Sequence, residues 1–278
     1  ATQLSRRVDV IVGGHSHTRI TKPHLVNRKL IVQAGTGCRN LGRLDLTVVA
    51  DTVQSYSGQL IDLWVEGIEK NPSLEKEIER FKKQIDEEYG QVIAYLETDW
   101  TRASHQESNI GNFLTDCMRE YAGTDFALIN SGGIRKDLPA GEIKKMDIKE
   151  ILPFDNVICT FEVTGAQLMK ILQENAQAAV YHNHGVLQVS GLSYRWKKQP
   201  DGSIKIVKAL INGKPVDSKA IYTGATVDFV LLANAQTYLG FEPEVKKNLM
   251  VKFTDVVMEM VTKKGRIHSV VERRMREE

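Results

Sequence analysis

Residues 8–20 read VDVIVGGHSHTRI: a short β-branched run, two glycines, and two histidines separated by one serine. The apolar run is typical of a buried strand, and the glycines that end it allow the chain to turn sharply. Neutral imidazole is a common nitrogen ligand for zinc, manganese and related cations, and residues two apart in a loop can send both side chains to one side. This stretch therefore predicts a strand that leads into a metal site, with His15 and His17 as ligands.

Outward from this stretch, the pattern of strands and glycine turns continues to about residue 67, with further strands predicted at 29–35, 42–49 and 58–65. From Ser73 onwards, apolar residues recur every three or four positions with charges between them, which predicts an amphipathic helix of about five turns. Beyond residue 92, helices and strands are mixed. The predicted organisation is an α+β chain divided into the last strands of one domain over 1–67, a linker helix over 68–92, and a mixed domain over 93–278.

Within the mixed domain, local patterns predict further elements. Helices are predicted at 110–121, from a cap near Thr164 to about 178, at 228–234 and at 244–264. Strands are predicted at 126–130, 157–165, 186–196, 204–211 and 221–226. His182 and His184 are predicted to lie in a surface loop, and the charged tail ERRMREE at 272–278 is predicted to be a solvated end.

Composition limits the classes of function. The chain has 278 residues, a formal net charge of +2 and three cysteines far apart in sequence. The near-neutral charge does not indicate a nucleic-acid partner, and no run of about 18 apolar residues indicates a membrane span. An odd number of scattered cysteines favours reduced thiols over a disulfide framework and favours the cytoplasm, while an extracellular or cell-wall location stays open. The sequence leaves the oligomeric state open.

The first stretch resembles the last metal-binding motif of the calcineurin-like metallophosphoesterases. Three later stretches resemble, in order, segments of the 5′-nucleotidase family, which includes UDP-sugar hydrolases and 2′,3′-cyclic phosphodiesterases. They are ESNIGNFLTDCMRE (107–120), NSGGIRKDLPAGEI (130–143) and ILPFDNVICTFEVTGAQLMKIL (151–172). The resemblance implies a C-terminal 5′-nucleotidase-type α/β domain, preceded by the last strands of a metallophosphoesterase sandwich and the linker helix. Because the family's other metal ligands and its catalytic histidine come earlier in its sequences, the chain is predicted to be an N-terminally truncated fragment.

For the intact protein, the resemblance implies hydrolysis of phosphoric esters with two divalent ions such as Zn or Mn, to which His15 and His17 would each contribute. The fragment alone is expected to lack catalytic residues, to hold metal weakly or not at all, and to be inactive. Its expected contribution is recognition of a nucleotide or nucleotide derivative. Six residues match the family's substrate-binding positions: Asn130 for the base edge, Gly132 and Gly133 in a turn, Arg135 for phosphate or ribose oxygens, and Phe154 and Phe229 on the two faces of the base.

Two departures from the family pattern leave alternatives open. Gln106 stands where the family has an arginine before its Glu-x-Asn segment, and residues 234–238 read NAQTY where the family has an aspartate that binds ribose hydroxyls. The intact protein could therefore hydrolyse nucleotide sugars or cyclic nucleotides instead of nucleoside monophosphates. The chain could also be a non-catalytic nucleotide-binding module, or a degenerate domain that binds nothing specific.

Overall fold

The computed structural model describes residues 1–5, 7–64, 66, 69–244 and 246–278. It divides into two compact units, Ala1–Glu79 and Arg80–Glu278, and the division falls within helix α1, Pro72–Tyr89. This helix confirms the predicted five turns, and all of its residues remain accessible, so its apolar stripe is exposed. Val65, which ends a predicted strand, and residues 67 and 68, which flank the first predicted domain boundary, lie outside the described residues.

The first unit contains two small sheets. Its strands are β1 (Val10–Val12), β2 (His24–Val26), β3 (Lys29–Val32), β4 (Asn40–Val49) and β5 (Thr52–Asp62). β3 pairs in parallel with β1 and antiparallel with β2, while β4 and β5 form a hairpin. Ala50 and Asp51 turn the hairpin with positive φ angles of 49° and 55°. Because Ala-Asp lacks the glycine or asparagine that usually marks such a turn, the sequence did not reveal that β5 begins six residues before the predicted strand at 58.

The second unit contains the main core. Its helices are α2 (Asn109–Ala122), α3 (Lys145–Ile151), α4 (Gly165–Tyr181), α5 (Ala235–Leu239) and α6 (Phe253–Lys264), with a 3₁₀ turn at Ser131–Gly133 and a π-helical turn at Phe229–Ala233. Its strands are β6 (Val92–Leu96), β7 (Phe126–Asn130), β8 (Gly141–Lys144), β9 (Val157–Thr164), β10 (Leu187–Ser190), β11 (Leu192–Lys198), β12 (Ile204–Ile211), β13 (Lys214–Pro215), β14 (Ile221–Val227), β15 (Lys246–Lys252), β16 (Arg266–Ile267) and β17 (Met275–Glu277).

Three sheets organise this unit. The largest has the strand order β10-β7-β14-β9-β15; the others have the orders β13-β12-β11-β17 and β16-β6-β8. Every residue of β7 is buried, because α2 packs against β7 and β10. α4 packs against β9 and β12, and α6 against α2 and α3. This mixed arrangement of helices and sheets confirms the predicted fold class, and β7 delivers Asn130 to the carboxyl end of the central strands.

Two predicted elements differ from the structure. The segment 186–196 is two strands, β10 and β11, because Gly191 adopts a φ of 74° and breaks the run. The predicted helix at 244–264 is correct only from Phe253, since residues 246–252 form β15 on the edge of the largest sheet. Residues 246–252 read KKNLMVK, without the strict alternation of a half-buried strand, and the sheet edge that receives them is visible only in three dimensions.

The prediction that the charged tail is a solvated end is wrong, because part of this tail forms a strand of a sheet. β17 pairs in parallel with β11, and its first residue, Met275, is buried. The Arg274 guanidinium donates to both carboxylate oxygens of Asp116, at 2.9 and 2.7 Å. No local sequence pattern predicts this contact, because the two residues lie 158 positions apart.

Glu107 and its neighbours hold the same C-terminal segment (residues 269–277). One Glu107 carboxylate oxygen accepts from Asn112 Nδ2 at 2.7 Å and from the backbone N–H of Glu272 at 2.8 Å; the other accepts from the backbone N–H of Met275 at 3.2 Å. Ser269 Oγ donates to the carbonyl oxygen of Asn109 at 2.8 Å. In this protein the Glu-Ser-Asn stretch therefore acts as a clamp on a distant strand.

Among the residues that the structure describes, no helix is both long enough and apolar enough to cross a bilayer. Cys117 and Cys159 are buried free thiols, while Cys38 is a free thiol on the surface. Burial raises the pKa of Cys159 to about 11, so this thiol is protonated at neutral pH and unreactive as a nucleophile.

Candidate functional site

The two predicted metal ligands lie in an exposed loop after β1. The backbone N–H of Gly13 donates to Val32 O at 2.7 Å, and a Cβ at Gly13 would lie 2.6 Å from the end of the Gln33 side-chain amide, so a larger residue would require that flexible side chain to shift. His15 and His17 both have positive φ angles, 63° and 57°. Such strained backbone in residues with side chains is concentrated at functional sites. In the described part of the chain, no group of three or more His, Cys, Asp or Glu side chains could hold a metal ion.

In the second unit, the turn after β7 places Asn130. The backbone N–H of Ser131 donates to Val186 O at 2.8 Å, and Ser131 Oγ donates to Ser104 O at 2.9 Å, which fixes the start of the turn. Asn130 is only 4% exposed, and its Oδ1 is buried without a hydrogen-bond partner among the described residues. A Cβ at Gly133 would lie 3.2 Å from this oxygen, so glycine keeps the space beside the Asn130 amide open.

Arg135 and Phe154 lie on one side of this turn. The backbone N–H of Arg135 donates to Ile151 O at 2.8 Å, and its Nη1 donates to Gly132 O at 3.1 Å. The guanidinium carbon lies 6.0 Å from the centre of the Phe154 ring, which is 48% exposed. An exposed aromatic ring beside a guanidinium can stack a planar group while the cation binds an anionic one.

Phe229 and Tyr238 form another part of the candidate site. The Asp228 carboxylate accepts from the backbone N–H groups of Phe229 at 2.9 Å and of Val157 at 3.3 Å, which ties the π-helical turn to the start of β9. The ring centres of Phe229 and Tyr238 are 6.3 Å apart. Burial raises the pKa of the Tyr238 hydroxyl, and a hydrogen bond from the Asn130 side chain opposes this rise.

Contacts join Arg135 to Phe154 and to Gly132, while Phe229 contacts Tyr238, which the sequence analysis did not assign and whose pKa the Asn130 side chain affects. We call this set the Asn130 cluster: Phe154, Arg135, Gly132, Gly133, Asn130, Tyr238 and Phe229. Gln106 does not contribute a side-chain contact to it among the described residues; its side chain is exposed, and its carbonyl oxygen accepts from Gln188 Nε2 at 2.8 Å. The metal-ligand loop belongs to the other unit.

Three histidines lie next to the Asn130 cluster. The rings of His105 and His182 stack with centres 4.1 Å apart, and the ring of His184 meets Tyr238 edge-on at 5.2 Å. Burial lowers the pKa of His105, and the nearby imidazoles of His182 and His184 lower it further, while a hydrogen bond to the backbone of His184 opposes the shift. The predicted surface loop at 182–184 therefore contacts the edge of the site, a role that a histidine pair in a turn does not reveal.

This arrangement predicts a pH dependence of stability. The fold lowers the pKa of His105, so as the pH falls the unfolded chain takes up the proton before the folded chain does. The contribution of neutral His105 is therefore complete above about pH 6.5 and is lost as the pH falls through the folded-state pKa. We expect the urea midpoint of His105→Gln to fall less than that of the wild type between about pH 7.5 and about pH 5. His268→Gln, an exposed control, should keep the wild-type dependence; an equal fall in all three proteins would contradict the prediction.

Comparisons with known proteins cover most of the chain. A sequence profile described as 5′-nucleotidase, C-terminal domain, matches residues 89–240. The trifunctional nucleotide phosphoesterase protein YfkN of Bacillus subtilis is 28% identical over 79% of this chain and 16% of its own length. Protein UshA of Escherichia coli is 26% identical over 79% of this chain and 46% of its own length. The crystal structure of a 5′-nucleotidase precursor from Thermus thermophilus superposes with a TM-score of 0.75 at 26% identity, covering 97% of this chain and 59% of that one. The chain thus spans less than half of either curated relative.

Proposed function

Because the chain belongs to the 5′-nucleotidase C-terminal domain family, we propose that its Asn130 cluster binds a nucleotide or nucleotide derivative for a metal-dependent phosphoric ester hydrolase. The observations that carry this proposal are the Arg135 guanidinium beside the exposed Phe154 ring, the unpartnered amide oxygen of Asn130, and the exposed Phe229 ring beside Tyr238, whose pKa the Asn130 side chain affects. Stacking surfaces, a cation and a polar edge are the three features needed to hold a base and its attached anionic group.

Each residue has a distinct role in this proposal. Phe154 and Phe229 stack on the base, since every base has a face that an aromatic ring can cover. Arg135 supplies a planar set of donors to phosphate or ribose oxygens. Asn130 contacts the edge of the base, and Gly132 and Gly133 leave room for the ligand beside it.

His15 and His17 are proposed to supply two nitrogen ligands to the divalent ions of the intact enzyme. Their loop fits this role because both imidazoles are exposed and follow a glycine pair at the end of a strand. Two divalent ions such as Zn or Mn would supply charge neutralisation and an activated water for phosphoryl transfer. Two imidazoles are fewer ligands than such ions need, so the chain by itself is proposed to bind metal weakly and to be inactive. The proposed division remains 1–67 for the metal-binding remnant, 68–92 for the linker and 93–278 for substrate recognition.

A second candidate function is hydrolysis of nucleotide sugars or cyclic nucleotides, or nucleotide binding without catalysis. The observations that favour it are the exposed Gln106 side chain and the absence of an acidic residue at 234–238. The printed name of one relative, the trifunctional nucleotide phosphoesterase protein YfkN, supports a substrate range wider than one nucleotide ester.

The test is calorimetric titration of the metal-free chain with adenosine, AMP and UDP-glucose. We expect saturable binding, and a loss of about 5- to 150-fold in affinity for Phe154→Ala, because one base–aromatic stack contributes about 1–3 kcal/mol. The matched control is Phe81→Ala, which removes a ring of similar exposure (54%) from α1. The ranking of the three ligands separates the first candidate function from the second. Binding that is unchanged by Phe154→Ala, or no binding at all, would refute the proposal.

A further inference from the structure

A polar surface groove lies at the other end of β10 from Asn130. Asn130 pairs with Leu187, the first residue of β10, whereas Ser190, the last residue of that strand, lines the groove about 10 Å further along. The groove has a volume of about 340 Å³. Four segments far apart in sequence meet there: α2, the turn between β10 and β11, the hairpin between β12 and β13, and the C-terminal segment. We call it the Arg119 groove, lined by residues 116, 119, 190–193, 212, 213 and 272–274.

The side chain of Arg119 is held in place beside this groove. Its Nε donates to Ser190 Oγ at 2.8 Å, and its Nη1 donates to Asn212 Oδ1 at 3.2 Å. A Cβ at Gly191 would lie 3.0 Å from Arg119 Cδ, so glycine leaves room for the stem of the arginine. A guanidinium has five N–H donors, so these two bonds leave the other three without a partner among the described residues. Because both acceptors are neutral, they orient the guanidinium without neutralising its charge.

The acidic residues of the groove are already paired with another arginine. Arg274 Nη2 lies 2.7 Å from Asp116 Oδ2 and 3.0 Å from Glu272 Oε2. Within the described part of the chain, neither Arg119 nor Arg273 has a carboxylate within ion-pair distance. The three basic and two acidic side chains leave the lining with an excess of one positive charge. The groove therefore offers an anion two guanidinium groups that the protein itself does not neutralise.

We propose that the Arg119 groove binds a phosphate group, as free phosphate or as the terminal group of a small organic phosphate. Arg119 is the main contact, because its oriented guanidinium presents planar donors that match phosphate oxygens. Arg273 is a second contact that reaches the groove from the C-terminal segment. This site is separate from the Asn130 cluster, and the inference does not depend on the proposed function.

Two features favour phosphate over a carboxylate ligand. Arg119 and Arg273 come from different segments, and a tetrahedral phosphate has oxygens for donors on several sides, whereas a carboxylate has two oxygens in one plane. Sites for small organic molecules have volumes of about 300–1,000 Å³. The volume of the groove lies within this range, so there is room for an organic group beyond the phosphate.

The test is a titration of the chain followed by the NMR signals of its backbone amides, with sodium chloride holding the ionic strength constant. The probes are inorganic phosphate, glycerol 3-phosphate and acetate. We expect both phosphates to shift the amide signals of Gly191 and Gly213 saturably, with a Kd of about 1 mM, as two charge-assisted hydrogen bonds in an open groove would give. Acetate should bind at least about tenfold more weakly. The tighter of the two phosphates identifies the source of the phosphate group.

Three arginine variants locate the binding. Arg119→Met should weaken phosphate binding at the groove by at least about tenfold, because it removes the oriented donors. Arg273→Met should weaken it about threefold, since Arg273 is more exposed to solvent. Arg266→Met is the matched control: it removes an exposed arginine from β16, in a different sheet, and should leave the affinity unchanged. An unchanged urea midpoint would exclude misfolding, and if Arg119→Met does not fold, Arg273→Met decides.

The amide signals also separate this inference from the proposed function. Phosphate-dependent shifts confined to Gly132 and Gly133 would place the anion at the Asn130 cluster and overturn the groove site alone. The inference is also overturned if about 10 mM phosphate leaves Gly191 and Gly213 unshifted, a concentration ten times the expected Kd. Equal affinity for acetate, or equal phosphate affinity in the wild type, Arg119→Met and Arg273→Met, would overturn it as well.

Discussion

Replacing Glu107 with alanine is expected to lower the free energy of unfolding of the Arg80–Glu278 unit by about 3–5 kcal/mol. The Glu107 side chain is buried and accepts three hydrogen bonds, two of them from backbone N–H groups of the C-terminal segment. Alanine would leave all three donors without their acceptor in a site that excludes most water. Each unsatisfied buried donor costs about 1–3 kcal/mol, so the sum is large even if the segment partly relaxes.

Urea unfolding followed by circular dichroism measures this change. Glu120→Ala is the matched control, because Glu120 is an exposed glutamate on α2, the helix that begins two residues after Glu107, and its loss should change stability by no more than about 0.5 kcal/mol. Glu107→Gln should fall between the two, since an amide keeps one acceptor oxygen and places a donor where the other oxygen was. A loss below about 1 kcal/mol for Glu107→Ala would mean that the C-terminal segment is held mainly by β17 and Arg274.

Trp100→Ala is expected to have a similar effect, a loss of about 3–5 kcal/mol, through a different mechanism. Trp100 is fully buried, its ring centre lies 4.8 Å from that of Phe113, and its backbone exchanges hydrogen bonds of 2.8 and 3.0 Å with Leu138. Alanine would leave a cavity between α2 and the segment at 138. The two backbone hydrogen bonds with Leu138 would remain, so the loss of unfolding free energy would measure the packing of the side chain alone.

Trp100→Phe provides the sharper comparison. The ring nitrogen of Trp100 is buried without a hydrogen-bond partner among the described residues, so phenylalanine removes an unsatisfied donor while keeping an aromatic ring against Phe113. We therefore expect Trp100→Phe to lose less than about 1.5 kcal/mol, as a near-conservative core substitution does. Equal losses for Phe and Ala would show that the indole nitrogen is satisfied, for example by a buried water.

The sequence predicted those elements whose signals are local. The strand at 126–130 agrees residue for residue, and α4 begins at the predicted Thr164 cap, whose Oγ1 accepts from the backbone N–H of Gln167 at 3.2 Å. A capping residue and a run of apolar residues act within four positions, so they can be read from one segment. β15 and β17 were missed because each depends on a sheet edge supplied by residues far away in sequence.

The candidate site likewise contains residues that sequence patterns predict and one residue that they do not. Asn130, Arg135 and Phe154 lie in stretches that resemble a known family, and the structure places Arg135 beside Phe154 and Gly132. Their role in binding remains a prediction. Tyr238 could not be assigned, because its significance comes from Asn130, Phe229 and His184, each of which reaches it from a different part of the chain.

The clamp on residues 269–277 has a consequence for the order of events during synthesis. Glu107 leaves the ribosome long before Glu272 and Met275, its partners 165 and 168 residues later. Until those residues emerge, its carboxylate lacks both backbone donors and accepts only from Asn112, and β11 lacks β17. Closing so long a loop carries an entropic cost that only the finished contacts repay. The nascent unit therefore cannot reach its full stability until residues 272–277, which include a strand only three residues long, have left the ribosome.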